Sequence, residues 1–436
     1  MGNRIFRLDR RELMAGMGAT ALAPALPGIA AAEGHRSLRL TAEAGLMALR
    51  PGQPDTPIWT LRGSGADRFR RGEEIELELE NNLPVPMVLN WVGLDGVPAA
   101  EPLAARPPLA PGARESLVIP LRHAGTLLCD GRLLGDGQAR PAGVLALISG
   151  ESAPVVVDRD EVILIEDWRL RADGSAIAPG IDPKDTSPVY TVNGRSKLDI
   201  TARAHERLRL RFINGCQRHV IAVKLEGYEV RVMALDGQPS EPFPARNGAL
   251  VLAPGSRADA FIDAGLPGSV SSILLHDGNE ARPIGRLVVA NQPPFRDAAL
   301  PAAPALPSNG LPDRLDLRNA LRFEIALGAA QAGWAKPPDF AVSASPAFRA
   351  RLGHTVVLAL VNRNDRPMMF HLHGHHFRLL DRLDDGWKPF WLDTLAIDAG
   401  QTQRIAFAAA SAGHFLIEAV ATDWAAPRLV RWYVVE

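Results

Sequence analysis

Cysteine is almost missing from this chain of 436 residues, which carries only Cys129 and Cys216. Two thiols allow a single disulfide, Cys129 to Cys216, in an oxidising compartment, and they equally suit the other common use of cysteine as a small buried residue. No cluster of cysteine and histidine with ligand spacing occurs anywhere in the chain. Lysine is nearly as scarce, confined to positions 184, 197, 224, 336 and 388. Arginine replaces it throughout, a bias read here as genomic base composition without functional weight. The formal net charge of -1, with 22% charged residues, excludes a nucleic-acid or polyanion binder. Long apolar runs are absent as well; those present are short and broken by charge, so no transmembrane span is expected. There is no Gly-x-Ser-x-Gly elbow, no H-E-x-x-H helix and no phosphate loop, which removes the enzyme classes that such motifs announce.

What is present starts with "RLDRRELMAGMGATALAPALPGIAAAE". Paired Arg10 and Arg11 precede a weakly apolar stretch, interrupted by Gly16, Gly18, Pro24 and Pro27, and an Ala30-Ala31-Ala32 run follows. This pattern predicts a twin-arginine export signal over residues 1–32 and a soluble periplasmic protein. Beyond residue 36 the chain alternates. "EEIELELENNLP" sets Ile75, Leu77 and Leu79 between glutamates, the period of a half-buried strand ending in a turn. "RESLVIPL", "GVLALIS", "EVILIEDW" and "QRIAFAA" repeat the theme, with Gly, Pro, Asn and Asp between them. Three longer segments resemble one another: "RRGEEIELELENNL", "RAHERLRLRFINGC" and "RLGHTVVLALVNRN", each a basic residue, a turn and a strand running into asparagine. The reading is all-β, with three Greek-key β-sandwich domains at 36–150, 155–292 and 320–436, and a Pro/Ala-rich linker over 293–319.

Several motifs then resemble a known family, the three-domain multicopper oxidases built from cupredoxin-like sandwiches. "NWVGLDG" at 90–96 is similar to the family's H-W-H-G-L-x-G, and "PLRHAGTLLCDGR" to its G-T-x-W-Y-H-S-H segment. "VNGR", "RLRFING", "ALDGQP" and "LAPGSRADAFIDA" look like framework turns of the second domain. In the third, "MMFHLHGHHF" resembles H-P-M-H-L-H-G-H-x-F, "WLDT" a conserved turn of the family, and "AGHFLIEAVATDWAAPRL" the terminal G-x-W-x-x-H-C-H-x-x-x-H-x-x-x-x-M. Trp91, Gly93, Gly96, Gly125, Thr126 and Gly374 hold this alignment. The resemblance implies copper and oxidation of a substrate at the expense of dioxygen.

The ligand positions depart from that pattern. Where the family places the type 1 copper ligands, this chain has Met368, Ala419, Trp424 and Leu429, so the soft thiolate site cannot form. Of the four H-x-H pairs of the trinuclear cluster, three are replaced, by Asn90 and Val92, Asp130 and Arg132, and Glu418 and Val420; His371 and His373 remain. Residues two apart on a strand share a face, which predicts that His371, His373, Asp130, Arg132 and Glu418 converge. One expectation is a structural remnant without cofactor, in which Arg132 pairs with both Asp130 and Glu418. The alternative is one metal ion, copper included, held by His371, His373 and a carboxylate from Glu418 or Asp130.

The other histidines and sulfur residues read as ordinary. His375 and His376 are expected to bond backbone or face solvent. Met368 and Met369 are expected to fill the core, and His414, Trp391 and Trp424 to pack; His35, His123, His205, His219, His276 and His354 show no ligand spacing. The function expected is that of a non-catalytic periplasmic binding or scaffold protein acting on an unidentified protein partner. It resembles, in ligand loss and export, a copper-less Tat-exported cell-division protein of the superfamily. Set against it is a copper-dependent oxidoreductase, laccase-like or metal-oxidising, with dioxygen as acceptor.

Overall fold

The computed structural model describes residues 35–436 except Ala66, 329–332 and 382–385. The export signal expected over 1–32 therefore lies outside the described residues. Strands dominate; the described helical segments are the short 3-10 turns Pro98–Ala100, Arg246–Gly248 and Pro337–Asp339. Among the described residues no helix is long and apolar enough to cross a membrane.

The strands form sheets that pack in facing pairs, because alternation gives each strand one apolar side to bury. In the first pair, Ile75, Leu77 and Leu79 of one sheet meet Phe69, Leu127, Cys129 and Leu147 of the other. In the middle pair, Leu208, Leu210 and Phe212 meet Val223, Ile273, Leu275 and Leu287. In the last, Val356, Leu358 and Ile405 meet Phe370, Phe415, Ile417 and Tyr433. Each pair encloses a separate core.

The three repeated segments occupy one structural role. Strands Glu74–Asn81, Arg207–Asn214 and Thr355–Asn362 each run parallel to the first strand of their own sheet, His35–Met47, Arg159–Leu170 and Leu321–Leu327 respectively. Their shared terminal asparagine has a physical cause. Asn81, Asn214 and Asn362 are buried, and each accepts, through Oδ1, the backbone N–H two residues on, from Leu83, Cys216 and Asn364 at 2.9–3.0 Å. Each Nδ2 donates to a carbonyl four or five residues ahead and to one from a distant segment: Val85 and Leu109, His219 and Leu252, Arg366 and Ile397. The side chain thus completes the turn while satisfying backbone groups that burial would otherwise strand.

Arginine carries more than base composition, contrary to the sequence reading. In strand Arg207–Asn214 the leucines and Phe212 face the core, and the alternating arginines form a buried polar face. Arg209 binds Asp259 through Nε and Nη2 and Glu151 through Nη1, while Arg211 binds Asp160, Asp259 and Thr126. Lysine has no planar fork to make such paired contacts.

A further arginine ties all three sheet pairs together. Arg257, wholly buried, donates to the Thr126 carbonyl in the first pair, to the Gly255 and Asp236 carbonyls in the middle one, and to both oxygens of Asp393 in the third, at 2.7–3.1 Å. Gly93 leaves room for it: a Cβ there would lie 2.7 Å from Arg257 Nη2, and its φ of 96° also favours glycine.

Replacing Asn362 with alanine strands the buried Ile397 carbonyl and removes the partner of the Arg366 and Asp398 carbonyls and of the Asn364 N–H. It should cost about 1–3 kcal/mol, read as a lower urea midpoint at unchanged m-value; an unshifted midpoint would show that the turn closes without it.

Candidate functional site

Two antiparallel strand pairs bring together positions that the resemblance matches to ligands. Asn90 lies opposite Asp130 in the first sheet pair, and His371 lies opposite Glu418 in the third. Asn90, Val92, Asp130, Arg132, His371, Glu418 and Arg428 line one cavity of about 20 Å³, the space of about one water molecule. His371 faces it, and the His373 ring lies behind, ring centroids 4.3 Å apart. The chain turns sharply after them at Gly374, where φ is 71° and a Cβ would lie 2.2 Å from the Phe415 ring.

Glu418 is the centre of the charge pattern. Its Oε1 accepts from Asn90 Nδ2 at 3.0 Å and from His373 Nε2 at 2.8 Å, with His371 Nδ1 at 3.4 Å; its Oε2 is paired with Arg428. Burial alone would raise its pKa, yet Arg428 and the two imidazoles hold it well below the usual carboxylate range. His373 is flanked on both sides by acid: Nδ1 lies 2.8 Å from Glu101 Oε1 while Nε2 meets Glu418. An imidazole between two carboxylates is doubly protonated. Burial works against that charge, but Glu101 and Glu418 prevail and push its pKa up to about 10. His371 moves the other way, lowered by burial and by neighbouring His373. The site therefore holds one imidazolium and one neutral imidazole.

The arginine expected to neutralise this cavity is only half the answer. Arg132 does pair with Asp130, donating Nε and Nη2 to Oδ2 at 3.2 and 3.0 Å and its backbone N–H to Oδ1 at 2.9 Å. Its remaining arm, Nη1, turns to the Gly215 carbonyl at 2.7 Å. The expected reach to Glu418 is not made, because Arg428 occupies Oε2. Burial pushes Glu166 up to about 7 despite nearby Arg132. Sequence reasoning missed Arg428 and Glu101. Arg428 adjoins Leu429 in the terminal motif, and Glu101 is a lone acid in the apolar run "VPAAEPLAA"; an uncompensated buried carboxylate and a buried imidazole were the signals to look for such partners.

The positions matching a type 1 site do not assemble one. Met368 and Ala419 are packed into the third core; Leu429 is buried opposite Ala419, and Val420 is buried opposite Met369. Trp424 donates Nε1–H to the Ala178 carbonyl at 3.1 Å and lies under the Arg169 guanidinium. The disulfide considered from sequence does not form. Cys129 and Cys216 are both free, each enclosed in the core of a different sheet pair, and burial raises both thiols well above their usual range. His375 and His376 do not face solvent. Both are buried: His375 Nδ1 donates to the Tyr433 hydroxyl at 2.7 Å, which itself donates to the His373 carbonyl, and His376 contacts Asp95.

Two sequence profiles described as multicopper oxidase match residues 159–270 and 314–436, together more than half the chain. The chain is 23% identical over 404 residues to multicopper oxidase MmcO of Mycobacterium tuberculosis, covering 78% of this chain and 75% of that one. Its fold superposes on a multicopper oxidase from Pseudomonas thermotolerans with a TM-score of 0.79 at 22% identity, covering 92% and 100% of the two chains. Lac15 from a marine microbial metagenome gives 0.73 at 25% identity, covering 91% and 99%. The chain belongs to the multicopper oxidase family.

The copper cluster that membership implies does not fit the donors present. His373 has both nitrogens engaged with carboxylates, Glu418 is paired with Arg428, and Asp130 with Arg132. That leaves His371 as the one imidazole facing a cavity bordered by two guanidinium groups.

Arg428→Ala should destabilise the protein by about 3–5 kcal/mol, because it leaves a buried charge unpaired. Combining it with Glu418→Gln should restore part of the loss, as thermal unfolding would reveal. The pH dependence follows from His373. Its folded pKa of about 10 lies above the ordinary value of 6.5, so its contribution is complete below about pH 6.5 and is lost as pH rises toward 10. The slope of stability across that window should flatten in His373→Gln; a parent protein with no loss of stability up to pH 10 would contradict a doubly protonated His373.

Proposed function

We propose that this protein is an exported family member in which a buried charge network has taken the place of the copper centre, and that it acts as a non-catalytic binding or scaffold protein. The observation carrying this reading is His373 held between Glu101 and Glu418, with Arg428 closing the second oxygen of Glu418. A cationic guanidinium and an imidazolium stand where a cluster of cations would need neutral nitrogen donors. The Arg10-Arg11 stretch supports export to the periplasm. The three sheet pairs are taken as sandwich domains over 36–150, 155–292 and 320–436, with the linker over 293–319, and their combined surface as the part that meets a protein partner.

A second reading, one copper or other metal ion on His371, His373 and Glu418, is favoured by one fact: their ligand atoms lie within 4.8 Å of one another. It requires His373 to give up a proton and Arg428 to release Glu418. Elemental analysis after copper-supplemented expression, with a phenol-oxidation assay under air, separates the readings. The charge network predicts no copper at this site and no turnover. One copper lost in His371→Ala would establish the second reading, and several coppers with turnover would establish a working oxidase.

A further inference from the structure

A separate cluster lies at the seam of the three sheet pairs, on residues given no role above. Asp95 follows strand Asn90–Val92, His123 precedes strand Gly125–Asp130, and His376 follows strand Met368–Leu372. The three segments bring Asp95 Oδ2 to 2.6 Å from His376 Nδ1 and 3.2 Å from His123 Nδ1. All three ligand atoms lie within 4.8 Å of one another. We propose that Asp95, His123 and His376 form a binding site for one divalent transition-metal ion, zinc by its donor set of two imidazoles and a carboxylate, with the fourth position left to water.

Three features support it. His376 Nε2 donates to the Asp236 carbonyl at 2.8 Å, which fixes the ring so that Nδ1 points at Asp95; a metal-binding imidazole is held in this way by its other nitrogen. The charge balance of the seam also calls for cations. Buried around His376 are Asp236 and Asp393, with Asp95 nearly so, against the single fixed charge of Arg257; Arg122, beside Gly96, lies on the solvent side. Three carboxylates facing Arg257 and the proton on His376 leave one negative charge, and two once an ion displaces that proton, the amount that a dication offsets. Access is the third feature. Gln238, whose Oε1 accepts from Asn309 Nδ2 at 3.0 Å, places its Nε2 3.1 Å from His123 Nδ1 and 3.4 Å from His376 Nδ1, an amide that the ion displaces, while the side chain of His123 keeps 18% exposure and gives the ion its entrance.

His376 donates from Nδ1 to Asp95 and from Nε2 to the Asp236 carbonyl, so the ring carries a proton on Nδ1 that the ion must displace. Zinc binding should therefore strengthen as pH rises from 6 to 8.

The experiment is zinc titration of the chelator-treated full-length protein by isothermal calorimetry, in two buffers of different ionisation enthalpy. The expected result is one ion per chain with release of about one proton. His123→Ala, on the partly exposed ligand, should retain the parent's circular dichroism and weaken binding by roughly tenfold or more, the loss expected for an ion held by so few ligands; Asp95→Asn should do the same. The stoichiometry should persist in His371→Ala, which places the ion away from the old copper position. No saturable zinc binding by the parent, or binding unaltered in both His123→Ala and Asp95→Asn, would overturn the proposal.

Discussion

Arg257 directs its guanidinium into the place where three sheet pairs meet, and the rest of the interior is arranged around that contact. Its two hydrogen bonds to Asp393 join the middle pair to the third, and its bond to the Thr126 carbonyl joins both to the first. A fully buried guanidinium is costly unless every arm finds a partner, and here backbone carbonyls complete what Asp393 begins. The turns that looked like mere framework in sequence, "ALDGQP", "LAPGSRADAFIDA" and "WLDT", supply Asp236, Arg257 and Asp393. They are three parts of one junction. Asp236 is pushed up to about 6 by burial and by its neighbour Asp393, while Arg257 draws Asp393 down to about 2, so the pair divides one strongly held negative charge from one that titrates readily.

The same rule of compensation governs the cavity where the family's ligands would lie. Carboxylates where the family's pattern has imidazoles change the electrostatic problem without abolishing it. Glu418 and Asp130 stay buried, so each has acquired its own arginine, and Glu101 with Glu418 turns His373 into a third cation. The resulting network is mostly satisfied, though Asn90 Oδ1 and Arg428 Nε remain without partners. Both residues border the small cavity, which is of a size to suit a water molecule. The meeting place of the sheet pairs, rich in buried acids, is thereby stabilised by fixed side-chain cations.

How much of this could be read in the chain varied with the range of the interaction. The strands were legible because alternation has period two, and the repeats because the terminal asparagine makes the same local hydrogen bonds at Asn81, Asn214 and Asn362. The convergence of His371 with Glu418 was legible because pairing of adjacent strands follows from the motifs. Arg428 was not, since it holds no ligand position in the terminal motif and acts only because the chain folds back ten residues to face Glu418. Nor was the grouping of Asp95, His123 and His376, which are separated by 28 and 253 positions in sequence and showed no ligand spacing.

The sequence by itself determined the all-β fold and the family, because those properties reside in strand periodicity and in the identity of residues at fixed places within local motifs. Tertiary structure alone decided which cation meets which acid, that Cys129 and Cys216 stay apart in separate cores, and that arginines such as Arg209, Arg211 and Arg257 are buried and paired. The reason is physical: the cost of burying a charge depends on its surroundings in space, and those surroundings come from segments hundreds of residues apart.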